Sequence, residues 1–111
     1  MAATDDVLQA LHSTSLTLWA RINDPAVDDA TRNALNLEYI EVSHRISILL
    51  GKKLSAELQT LTEKASAIQT AGQELRKTLE TVNTAEGAVK SVTAFLRGVD
   101  SFIDIAKKYF V

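Results

Sequence analysis

Glu41 and His44 stand three residues apart, the spacing at which helical bundles present a carboxylate and an imidazole to one metal ion. A two-metal site of that kind needs the element twice, together with two further carboxylates. The only other histidine, His12, has Leu8, Gln9, Ser15 and Leu16 around it on a helix and belongs to no second acid–imidazole pair. Both histidines therefore read as surface or seam-edge residues, and no metal is expected. Covalent chemistry fares no better. The chain has no cysteine, which removes disulfides and thiolate ligands. It has no glycine-rich phosphate loop and no nucleophile on a strand-to-helix elbow. Ser13, Thr14, Ser15, Thr17, Thr60, Thr62, Thr70 and Thr78 fall within helical stretches, and a hydroxyl without a general base beside it is not a nucleophile. No catalytic residue, cofactor or small-molecule substrate is expected, and the chain reads as a non-enzyme.

The elements that would carry these residues are all helices. Four glycines and one proline serve 111 residues, and no proline follows Pro25. A β protein needs turn residues every eight to twelve positions, and they are missing here. Apolar residues make up 46% and charged residues 23%, a globular balance over a length that suits one domain, residues 1–111. The net charge of −2 lacks the basic excess of a nucleic-acid binder. Residues 1–50 hold three Lys/Arg against seven Asp/Glu, and residues 51–111 hold nine against seven. The acidic opening Met-Ala-Ala-Thr-Asp-Asp has neither the basic nor the apolar stretch of a signal peptide, so the expected setting is cytoplasmic.

In the first helix Leu8, Leu11, Ser15, Leu18 and Ile22 recur at steps of three and four, with Thr4 or Asp5 as cap. Asn23-Asp24-Pro25 ends it, and Asp24 or Asp28 can cap the next. From about residue 28 an apolar series runs through Leu35, Tyr39, Val42, Ile46, Leu50, Leu54, Leu58, Leu61, Ala65, Ile68, Gly72, Leu75, Leu79 and Val82. Its extra steps of four around Gly51 resemble a coiled-coil stutter. This favours one continuous helix over about 28–82, roughly 80 Å long at 1.5 Å per residue. Asn83-Thr84 then turns the chain into a last helix carrying Ala88, Val92, Phe95, Val99, Phe102, Ala106 and Tyr109.

Folded back about that turn, small residues meet large ones: Gly72 faces Phe95, Ala65 faces Phe102, Ala88 faces Leu79 and Ala106 faces Leu61, which is how helices reach native packing density. The fold class is thus all-α, in antiparallel helical hairpins. A long central helix is flanked by an N-terminal and a C-terminal helix, and dimerisation completes the bundle. The alternative is a monomeric four-helix bundle with a break at Gly51. In the continuous form Leu37, Ile40, Ile48, Leu49 and Leu50 stay uncovered, and these are the expected partner-binding residues, for a second copy or another helical protein. The function expected is helical interaction or assembly.

A membrane-active or pore-associated protein is the competing reading. The last helix is strongly apolar and ends in Lys107, Lys108, Tyr109 and Phe110. Asp100 and Asp104 on its polar stripe argue against it, and no window of 18 apolar residues crosses a bilayer. Trp19 beside Arg21, and Tyr109 with Phe110, read as plugs at the ends of a bundle, or as anchors in a partner's pocket.

Overall fold

The computed structural model describes residues 2–111, and these fold into four α-helices. They are α1 (Ala3–Ile22), α2 (Asp29–Leu49), α3 (Gln59–Thr81) and α4 (Ala85–Ala106), followed by a 3₁₀ turn over Lys107–Tyr109. The body measures 45 × 21 × 19 Å. That length is little more than half of what an unbroken helix over 28–82 requires.

The long helix is therefore corrected to two, and Gly51 is the cause. Leu50 has φ −61° and ψ 125°, and Gly51 has φ +77°. Lys52 N donates to Leu49 O at 3.0 Å. Those angles and that bond make a type II turn, whose third residue must sit in the left-handed region that glycine enters without strain. The chain then runs non-helically from residue 50 to residue 58 before α3 begins.

Caps set the other boundaries. Asp28 accepts a hydrogen bond from Thr31 N at 2.8 Å, and Thr84 Oγ1 accepts one from Gly87 N at 3.0 Å. Both leave fewer orphan donors in a first helical turn. The caps expected for α1 are replaced: the helix starts at Ala3, behind Ala2, with no side-chain cap. Asp24 instead closes a local turn, its Oδ1 accepting from Ala26 N at 2.9 Å. Arg32 holds the α1–α2 connection together. Its Nε donates to Ile22 O at 2.9 Å, and its Nη2 donates to Asp24 O at 3.0 Å and Val27 O at 2.8 Å. One guanidinium thus satisfies the carbonyl at the end of α1 and ties it to two carbonyls of the connection.

Helix α1 packs against α2 and α3, and α4 packs against the same two. The four helices stand at the corners of a square, with α2 and α3 on opposite corners, so the segment 50–58 crosses beneath the core. Arg21 Nη2 donates to Val82 O at 2.6 Å, joining the C-terminal ends of α1 and α3. These two helices run parallel, and by the same topology so do α2 and α4. A short antiparallel clip ties the crossover to the chain's last residues. Ser55 N donates to Tyr109 O at 2.7 Å, and Val111 N donates to Lys53 O at 3.0 Å, flanking Leu54 and Phe110.

Every helix contributes to one core. Leu11, Leu18, Leu35, Val42, Leu49, Leu61, Leu79, Val92, Val99 and Phe102 are fully buried. Small residues allow the closest approach: a Cβ built on Gly72 would lie 3.4 Å from Phe95 Cε1 and 3.5 Å from Ala10 Cβ. The glycine is where three helices meet.

Candidate interaction surface

Helix α2 is apolar on more than one side. Its inward stripe is Leu35, Glu38, Val42 and Leu49, all buried. A second stripe, Leu37, Ile40, His44 and Ile48, recurs at helical spacing on the opposite flank. Leu37 is 63% exposed and Ile40 is 60% exposed. The rest of the exposed α2 surface is mostly polar, with Asn33, Asn36, Glu41, His44 and Ser47 in water, so the two large apolar side chains stand out on it.

The five residues expected at an uncovered seam separate in the structure. Leu37 and Ile40 lie on the α2 flank, and Ile48 is half-buried about two turns beyond Ile40. Leu50 is exposed but sits in the type II turn at the end of the bundle, away from the flank. Leu49 is fully buried and leaves the candidate set. With the long rod gone, the reason for expecting its middle to be bare goes with it; the turn at Gly51 lets Leu49 point into the core.

What Leu37 and Ile40 adjoin follows from the register between α2 and α4. Arg45 makes a two-pronged contact with Asp100, Nε to Oδ1 at 3.0 Å and Nη2 to Oδ2 at 3.1 Å, and also pairs with Glu41 one turn earlier. In parallel helices an offset of 55 residues sets Leu37 level with Val92 and Ile40 level with Phe95. Val92 and Phe95 face the core, so the residues that flank them outward are the neighbours of the α2 stripe. Those are Val89, Thr93 and Arg97, and Val89 is 41% exposed. A groove of about 690 Å³ runs along this side of α4, lined by Ala85, Glu86, Val89, Lys90, Thr93, Ala94 and Arg97. Protruding side chains on α2 and a shallow trough on α4 share one face. Val89 had a sequence signal, its place on the flank of the α4 stripe, but the register that brings it beside Leu37 had none.

Glu38 lies inside this face, in a core position, and is buried. Burial pushes its carboxyl above the usual value of 4.5, the charge of Glu41 adds to that, and Arg45 opposes it. The folded chain therefore holds the Glu38 proton more tightly than the unfolded chain does, and this contribution to stability is lost as pH rises through the folded-state value. Glu38→Gln is expected to raise the melting temperature at pH 7. The advantage should fade as pH falls through the folded-state value and be gone below the usual 4.5, where both proteins are neutral at this position. Thermal melts across pH 3–8 measure it.

The residues that suggested chemistry are placed elsewhere or already engaged. Glu41 is held by Arg45, and His44 and His12 are exposed on different helices. Among the described residues no three His, Asp or Glu side chains converge as metal ligands would. Helical hydroxyls bond back to their own backbone: Thr14 Oγ1 donates to Ala10 O at 2.8 Å and Ser15 Oγ to His12 O at 2.6 Å. On α4 the apolar stripe from Ala88 to Ala106 is buried in the bundle, and no helix among the described residues is long and apolar enough to cross a membrane. Trp19, 54% exposed, leans on Tyr39 with ring centres 5.7 Å apart.

No protein-family model, no characterised protein and no solved structure matches the chain.

Proposed function

We propose that the protein is a non-enzymatic helical assembly module that binds through the α2–α4 face. The partner is a second copy or another helical protein. The observation that carries this reading is the outward stripe of α2, where Leu37 and Ile40 remain more than half exposed after the core is complete. Covering a leucine or isoleucine is worth about 1.5–3 kcal/mol each, so the two side chains beside Val89 can anchor a packed helix. Large exposed apolar side chains grouped on one face mark such contacts; Leu16 and Trp19, also more than half exposed, stand on α1.

The test is the double substitution Leu37→Asp with Ile40→Asp. Sedimentation velocity is run on the purified protein and in extracts of the cells that make it. The unmodified chain is expected to travel in a complex, and the variant as a free species of 12.1 kDa, with unchanged helical circular dichroism. Loss of both anchors should weaken association by at least about 100-fold, at 1.4 kcal/mol per factor of ten. If the variant sediments as the unmodified chain does, the face is not the binding surface.

A further inference from the structure

We infer that the partner is a second copy of this chain, related by a two-fold axis parallel to the bundle, so that α2 of each copy lies over α4 of the other. The inference rests on the proposed use of the α2–α4 face and adds the occupant and its geometry.

Shape argues for it first. A two-fold contact is self-complementary, so a surface that serves it must carry both a projection and its receptacle. This face carries both. Leu37 and Ile40 project from α2, and the groove over Val89, Thr93 and Ala94 lies on α4. An axis along the bundle preserves height. With the 55-residue offset, Leu37 and Ile40 of one copy come level with residues 92 and 95 of the other, midway along a groove that spans residues 85–97. Projection and receptacle lie at the same height.

Charge then chooses between the two symmetric arrangements open to such a face. With the axis parallel to the helices, Glu41 comes level with position 96 of the second copy, beside its Arg97, and opposite charges meet twice in each dimer. With the axis across the helices and centred on Leu37 and Ile40, α4 lies antiparallel on α4, and Lys90 of one copy meets Arg97 of the other. Like charges across an interface suppress the pairing they occur in. The parallel arrangement is the one the surface permits. Size is sufficient too: the bundle's long side, 45 by about 20 Å, offers the roughly 800 Å² per partner of a stable interface.

Sedimentation equilibrium on purified protein tests this with three variants. Glu41→Arg and Arg97→Glu each turn both symmetric attractions into repulsions, and each should weaken self-association about tenfold. An equimolar mixture of the two variants, and the double variant, should both recover the original affinity, because each restores opposite charges at both contacts. Circular dichroism checks that the folds are intact, since Glu41 also pairs with Arg45. A tighter dimer for Arg97→Glu would overturn the proposal in favour of the antiparallel arrangement. No recovery in the mixture would overturn the Glu41–Arg97 register. A purified chain that stays at 12.1 kDa at every concentration would overturn the second copy as occupant. In that last case the proposed function still stands or falls separately, on whether Leu37→Asp with Ile40→Asp abolishes the complex in extracts.

Discussion

Gly72→Leu will keep the bundle from closing. The reason is local crowding from three directions: a Cβ at this position would lie 3.3 Å from Arg76 Nη1, 3.4 Å from Phe95 Cε1 and 3.5 Å from Ala10 Cβ. Arg76 is the far end of a flexible side chain and can move. Phe95 and Ala10 belong to packed helices and cannot move without parting α4 or α1 from α3. A single methyl is at the limit of what fits. Gly72→Ala is therefore expected to be near neutral, because a helix-propensity gain of about 1 kcal/mol offsets the tight contacts. The three further carbons of leucine have nowhere to go. Overpacking a close-packed core costs about 1–3 kcal/mol and more where the backbone must shift, and here three helices would have to separate. Urea unfolding followed by circular dichroism should show a broad or absent transition for Gly72→Leu beside a cooperative one for Gly72→Ala. Equal midpoints for the leucine variant and the unmodified chain would contradict the three-helix contact.

Phe102→Ala should remove about 3–5 kcal/mol of stability, the usual cost of emptying a buried aromatic site. Phe102 is among the largest of the fully buried side chains and lies on α4 between buried Val99 and Ala106. A domain of this size has about 5–15 kcal/mol in all, so the variant should sit near the edge of folding at room temperature. Phe110 serves as the control. It is half-buried at the clip beneath the bundle, with Lys52 Nζ 5.9 Å from its ring centre, and Phe110→Ala should cost much less. Denaturant midpoints for the two variants decide it. Similar losses at both positions would mean that the clip, and not α4, closes the core.

Much of the helical architecture was legible in the residues because the stripes of α1, α3 and α4 are uninterrupted. Thr84 as cap and the three-and-four spacing from Leu61 to Leu79 have one natural reading. The small-against-large reading set Phe95 on Gly72, and the distance between them in the fold is that of contact. Helix α2 misled for a specific reason. Its true inward stripe passes through Glu38 and beside Arg45, two charged residues that a search for apolar spacing steps around. Apolar spacing runs instead through Tyr39, which leans on Trp19 of α1, and on through Ile46 and Leu50. That spacing passes Gly51 without a break in apolar phase, so a turn resembles a stutter. Traced through Leu49, the stripe ends where the helix ends. A buried glutamate, held in place by tertiary packing, leaves no mark in hydrophobic periodicity. The α2–α4 face was half legible: Leu37 and Ile40 stand out as apolar residues off the main stripe, whereas the groove beside them depends on the Arg45–Asp100 contact, which joins residues 55 positions apart.

A dilution series of amide NMR spectra tests most directly whether this face is where copies of the chain meet. As concentration rises, shifting resonances should cluster on residues 37–44 of α2 and residues 86–97 of α4, and the surface of α3 should stay silent. Shifts confined to Leu16–Ala20, or to the crossover and the last five residues, would place the contact elsewhere. A spectrum unchanged over the whole range would show that purified copies do not meet at all.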